Sequence, residues 1–198
     1  MVLDWLSQGH RVHWTHEVKA LGSGDVCFYL SCSQIVPSSI LGNFAHNLVV
    51  HESDLPQGKG WSPLTWQILE GCNRIPVTLF EAVERVDSGD MYLQEWLEFE
   101  GHELLDELRQ AQAEATLRLC QQFVDDYPEV LKGARSQTGV ESFYPRRRPR
   151  DSQLDVHGSL SEQFNLLRVV DNERYPAFFE SDGRRYLLKI CKENLGDD

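Results

Sequence analysis

The chain has 198 residues, 41% of them hydrophobic and 10% aromatic, with a formal net charge of −12. That apolar content supports one buried core plus an appendage and excludes general disorder. No apolar run approaches the ~20 residues of a membrane span, and the start Met1 to Leu6 lacks the basic region, long apolar core and cleavage site of a signal peptide. An acidic surface repels phosphates, which disfavours a nucleic-acid partner and points to a small substrate, anionic only where local cations offset the field. The five cysteines, Cys27, Cys32, Cys72, Cys120 and Cys191, form no CxxC pair. They read as reduced thiols of a cytoplasmic protein.

Taken in order, Val2, Leu3, Trp5 and Leu6 suit the last turns of a helix that Gly9 stops. Arg11 to Trp14 reads as a short strand, and Asp25 to Ser31 as a better one. His10, His13 and His16 are spaced by three, which a strand would splay, so they read as surface residues and not as metal ligands. Pro37 to Leu41 suits a brief helix, and the apolar run Asn47 to Val50 a buried strand. Leu64 to Glu70 makes a helix capped by Gly71. Val77 to Val83 and Met91 to Phe99 are strands separated by the turn at Asp87. Glu103 to Phe123 is the clearest helix, with Leu104, Leu105, Leu108, Ala111, Ala115, Leu119 and Phe123 roughly on one face. Arg135 to Gly139 reads as a polar loop, and Ser159 to Val170 as a helix opened by a capping box at Ser159 and Glu162. Tyr175 to Glu180 and Arg185 to Cys191, split by Ser-Asp-Gly, read as a β-hairpin. This alternation of β and α predicts an α/β fold with an open, mainly parallel sheet.

The segment running from His46 to Trp66 carries the chemistry. Its strand delivers His51 into a loop rich in Gly and Pro, and Pro63 then opens a helix. Open α/β sheets place ligands and catalysts at such strand ends. The turn Asp87-Ser88-Gly89-Asp90 delivers a carboxylate nearby. A His and an Asp on neighbouring strand ends can handle a proton while a carbonyl is attacked.

The combined pattern His51-x-Ser53-x-Leu55-Pro56, Gly60-x-x-Pro63-x-x-Trp66, Val77-Thr78 and Asp87-x-Gly89-Asp90 resembles the formyltransferases that use 10-formyltetrahydrofolate. The likeness spans Asn47 to Gln94 closely. Arg147 to Ser152 and Phe164 to Arg168 look like the segment that follows the catalytic domain in sugar-acting members. Within the superfamily, which also holds methionyl-tRNA and glycinamide-ribonucleotide enzymes, the chain is most similar to those that formylate a UDP-linked amino sugar. Their setting is the synthesis of nonulosonic acids such as pseudaminic acid.

The resemblance implies a formyltransferase-like catalytic domain over 1–128, a linker over 129–150 and a small helix-plus-hairpin substrate-side appendage over 151–198. It implies formyl transfer from 10-formyltetrahydrofolate, without a metal, to the amine of a nucleotide-linked 4-amino-4,6-dideoxy sugar. A homodimer is left open, and no membrane is expected. The implied catalytic groups are His51 and Asp87, with Asn47 as third, because Val49 stands where relatives have Asn. Asn47 lies four residues before His51, and either a bulge brings it forward, or another residue such as Asn43 or His46 fills the role, or Asn47 simply ends the preceding loop. Leu55, Pro56, Gly89 and Asp90 are expected at the folate. Lys59 and Trp61 are expected against anionic or planar parts of the substrate, although Trp61 suits packing equally well. Arg147, within Arg146 to Arg148, suits a diphosphate or a solvated linker. Asn165, Arg168, Asp171, Asn172 and Tyr175 crowd a short apolar segment, which favours a ligand-facing role. A methionyl-tRNA formyltransferase-like enzyme and a non-catalytic ligand-binding domain of the same fold are the alternatives. Relatives also carry a further strand and half a helix before this point. The expected explanation is an upstream extension, without which an unpaired sheet edge makes the chain less stable or self-associating.

Overall fold

The computed structural model describes residues 1–193, so the last five residues of the expected 151–198 appendage lie outside it. Helix α1 (Val2–Ser7) ends at Gly9, whose φ of +91° suits glycine. Its Trp5 is buried and stacks on Phe28 with ring centroids 5.6 Å apart. Arg11 to Trp14, expected as a strand, has no ladder partner among the described residues and is irregular. Only Val12 packs toward the core there, and an extended segment without a neighbour is no strand. His10, His13 and His16 are all exposed.

Strand β1 (Gly24–Phe28) runs parallel to β2 (Phe44–His51), with the short helix α2 (Ser38–Leu41) between them. After β2 come the two-residue strand β3 (Lys59–Gly60) and helix α3 (Pro63–Leu69), which has Pro63 at its first position. Strand β4 (Arg74–Glu81) then pairs antiparallel with β2, placing His51 opposite Thr78. Strand β5 (Met91–Glu98) pairs antiparallel with β4, giving the order β1-β2-β4-β5. The α/β class with a helix-flanked open sheet is the expected one. Parallel pairing holds at β1-β2 and gives way to antiparallel pairing beyond it. Past β4 no crossover is made: β4 and β5 are joined directly by the 82–90 turn, which returns the next strand antiparallel beside the last.

Helix α4 (Leu105–Asp125) covers the sheet through buried Leu108, Ala115, Leu119, Cys120 and Phe123. These pack with Leu48, Ile68, Ile75, Val77 and Leu79 in one core. Among the described residues no helix is long and apolar enough to cross a membrane.

The 129–150 segment, expected as a linker, is bonded along much of its length. Arg135 exchanges two backbone bonds of 2.9 Å with Met91, and strand β6 (Phe143–Tyr144) pairs parallel with β3. Helix α5 (Phe164–Val169) is shorter than expected. Ser159 and Glu162 do make reciprocal bonds of 2.8–3.2 Å, but around a turn that precedes the helix. The hairpin of β7 (Ala177–Ser181) and β8 (Arg184–Leu188) forms over Asp182 and Gly183, both at positive φ, as a tight hairpin turn requires.

Arg168 on α5 locks this appendage to the core. At 1% exposure it donates to the Glu103 carbonyl (3.1 Å) and carboxylate (3.2 Å), Asn73 (2.8 Å) and Asn165 (3.1 Å). Arg168→Ala removes a buried guanidinium with four hydrogen-bond contacts and leaves partly buried Glu103 and Asn73 without their cation, so a loss of roughly 2–4 kcal/mol is expected. Urea unfolding measures it; a loss under about 1 kcal/mol would show that the lock is not energetic.

Candidate functional site

His51 ends β2 at 8% exposure, edge-on to Phe80. Its Nε2 lies 2.9 Å from the Gly58 carbonyl. A carbonyl only accepts, so Nε2 carries the proton and Nδ1 is left with the lone pair. Asp87 sits on the turn between β4 and β5 at φ +51°. One carboxylate oxygen accepts the Gly60 amide at 2.9 Å and stands 4.0 Å from His51 Nε2. That separation is within ion-pair range and longer than a hydrogen bond. Sequence reasoning brought these two residues together, and the fold places them together.

The 58–60 backbone therefore lies across the pair, giving its carbonyl to the imidazole and its amide to the carboxylate. Gly60 is held at φ +98°, and a Cβ there would come within 2.6 Å of the Tyr144 carbonyl oxygen. Gly89 is constrained as tightly, since a Cβ would fall 1.8 Å from the Glu81 carbonyl oxygen. Only glycine lets the Asp87 turn fold back onto β4.

The remaining expected residues divide. Leu55 is buried with Val49, Phe80 and Met91 beneath the site. The Pro56 carbonyl accepts the Ser142 amide at 3.3 Å. The Asp90 carboxylate accepts the Ser136 hydroxyl at 2.8 Å. Asn47 is not brought to the pair. Its amide accepts from Tyr29 (2.9 Å) and donates to the Leu41 carbonyl (3.0 Å), one regular strand away from His51. Four strand residues span about 13 Å.

Lys59, expected against a ligand, is instead buried at 1% exposure and donates to Glu141 and Ser88, both at 3.0 Å. Arg168 and Asn165 are spent on the lock described above. Asp171 accepts from Arg109 and from two backbone amides, and Asn172 is paired with the Ile190 backbone. Arg147 turns inward to the Asp151 carbonyl at 2.8 Å. Trp61 and Tyr175 stay exposed.

Several residues of the site were not read from sequence. Gln137 donates to the carbonyls of Asp87 (3.1 Å) and Gly89 (2.9 Å), bracing the turn. Glu141, Ser142 and Tyr144 hold the 58–60 segment. They sit in a stretch with no local signal, about 80 residues from the groups they contact. Glu52, next to His51, is buried, accepts from Gln112 on α4 at 2.7 Å and has no cation partner among the described residues. Burial pushes its carboxyl well above the usual range, and the neighbouring His51 partly offsets that.

The family described as Formyl transferase matches residues 8–123, more than half of the chain. The methionyl-tRNA formyltransferase of Lachnospira eligens is 25% identical over 178 residues, which cover 89% of this chain and 56% of that protein. The chain thus spans little more than half of that relative's length. Among solved structures, the methionyl-tRNA formyltransferase from Clostridium thermocellum superposes with a TM-score of 0.70 at 23% identity, covering 86% of this chain and 74% of that one. A 4-N formyltransferase from Francisella tularensis gives 0.69 at 19%, covering 86% and 72%. HypX from Aquifex aeolicus, solved with tetrahydrofolic acid, gives 0.64 at 17%, covering 88% and 31%. With the family match over more than half of its length, and with His51 at the end of β2 facing Asp87 on the β4–β5 turn, the chain belongs to the formyl transferase family.

Proposed function

We propose that the chain transfers a formyl group from 10-formyltetrahydrofolate to the amine of a nucleotide-linked amino sugar, with UDP as carrier and a 4-amino-4,6-dideoxy sugar as acceptor. The observation that carries this reading is the His51–Asp87 pair, 4.0 Å apart, with His51 at the end of β2 and Asp87 on the β4–β5 turn, in a chain of this family. The sugar acceptor is supported by a sugar N-formyltransferase from Shewanella that shares the fold, with a TM-score of 0.66 at 18% identity, and by the net charge of −12, which opposes tRNA.

Bound formyltetrahydrofolate supplies an activated formyl carbon. His51 exchanges the Gly58 carbonyl for the formyl oxygen and donates its Nε2 proton toward the charge that develops there. Asp87 stabilises the imidazolium when His51 holds the proton that the amine gives up and the departing nitrogen takes. Gly60 keeps the Asp87 carboxylate aimed during this exchange. The cluster of Leu55, Phe80 and Met91 keeps water from beneath the imidazole.

His51→Ala and Asp87→Ala are each expected to lower turnover on the order of a hundredfold or more. The assay follows folate release with UDP- and dTDP-linked amino sugars, aminoacyl-tRNA and water as acceptors. Near-normal rates in both folded variants would remove the pair from the reaction. A second reading, ligand binding without turnover, is favoured by Val49, which packs against Leu55, Phe80 and Met91 where relatives have Asn. Sugar-nucleotide binding without folate release would establish it.

Glu52 generates a further expectation. Its folded pKa lies above the unfolded value, so its contribution to stability is fully present below the ordinary value of 4.5 and is lost as pH rises through the folded one. Glu52→Gln keeps the Gln112 bond and removes the buried charge. The variant is expected to unfold at higher urea than the parent at pH 7, with the gap closing toward pH 4. A variant that is less stable at pH 7 would mean that His51 fully compensates the carboxylate.

A further inference from the structure

The rim of the site carries an unspent aromatic–cationic pair. Trp61 directly follows Gly60, whose amide holds Asp87, so its indole stands one residue from the reactive pair. It remains 41% exposed, with the Arg146 guanidinium 4.8 Å from its ring centroid. Behind it, Trp66 stacks on Tyr144 with ring planes within 10° and donates to the Pro145 carbonyl at 2.9 Å. Those contacts fix the strand leading into Arg146 against α3, so the guanidinium is presented from a rigid support.

The arginines of this strip divide by orientation. Arg147 is turned inward onto the Asp151 carbonyl, whereas Arg146 and Arg148 are exposed. Neither the Arg146 nor the Arg148 guanidinium has a carboxylate within 4.0 Å among the described residues, and the Asp151 carboxylate is taken by the Arg148 backbone amide at 2.6 Å. Arg148 lies two residues from Arg146, and both are exposed on either side of the inward-turned Arg147. The other cation of this rim, Lys59, is buried on Glu141 and Ser88 and has nothing left to offer.

Resting on the reading of a nucleotide-linked acceptor, we infer that Trp61, Arg146 and Arg148 form the seat of its nucleoside diphosphate. The base lies against the open indole surface, and the diphosphate takes the two guanidiniums. A guanidinium meets phosphate oxygens through two parallel hydrogen bonds, which an ammonium cannot do. A base stacked on an aromatic side chain contributes roughly 1–3 kcal/mol. On a chain of this acidity, two uncompensated arginines also decide where an anion can settle at all.

Titration calorimetry with UDP and with inorganic pyrophosphate, on the full chain, tests the seat. UDP is expected to bind the parent, and Arg146→Ala and Trp61→Leu each to weaken it tenfold or more while the thermal unfolding midpoint is unchanged. Pyrophosphate should lose affinity in Arg146→Ala and not in Trp61→Leu. UDP binding that is absent in the parent, unaffected by both variants, or lost only with the fold would overturn the inference. So would displacement of UDP by an equimolar amount of uncharged tRNA. Intact UDP binding in a chain that transfers no formyl group would leave the seat standing and remove the activity. Formyl transfer with an unchanged KM for the sugar nucleotide in both variants would do the reverse.

Discussion

A buried ammonium organises the site. Taking Lys59 out of water costs several kcal/mol unless it is paired and hydrogen-bonded, and its partners come from distant parts of the chain. Ser88 lies on the β4–β5 turn and Glu141 on the strip leading to β6. Arg85 adds a second cation to Glu141 at 2.6 Å, and the bond from Lys59 holds the Glu141 carboxyl below its usual range. β3 is only two residues long and cannot hold its own place. Fixed through Lys59, it becomes the reference against which His51 and Asp87 are positioned.

The reactive groups are thus held by backbone and not by each other. An imidazole bonded to a carbonyl has a defined tautomer, and a carboxylate bonded to an amide has a defined direction. Both are set before any ligand arrives. Such preorganisation matters because donors aimed in advance need no rearrangement as charge develops. The neighbouring Glu52 carboxyl is buried and anchored to α4 through Gln112. His51 therefore has two carboxyl neighbours, Asp87 at 4.0 Å and Glu52 beside it in the chain.

What was legible in the sequence follows the range of the forces involved. His51, Asp87, Pro63 and the Ser-Asp-Gly hairpin are announced by their immediate neighbours, and the fold realises them. Arg11 to Trp14 has strand composition, but pairing is supplied by another segment, and none comes. Polar residues in apolar surroundings proved the hardest to read. Lys59, Arg168, Asn165 and Asn172 look as a ligand contact would, yet each meets an interior partner. For Arg168 the partners lie 65 and 95 residues away, and no local pattern distinguishes such a partner from a bound molecule. Gln137 and Glu141 escaped notice for the same reason. Their importance lies entirely in what the chain brings to them.

The strip between Gly133 and β6 has an uneven architecture. Gln137 grips both carbonyls of the Asp87 turn, whereas Gly139 beside it sits at φ +115° and Val140 is 82% exposed. None of its residues belongs to the main core. A protease cut near Gly139–Val140 would therefore spare the packed sheet and α4 while halving the tether on Asp87. The globule would survive such a nick with its spectrum largely intact, and the geometry of its reactive pair would not. In this chain the covalent continuity of one exposed strip belongs to the chemistry more than to the fold.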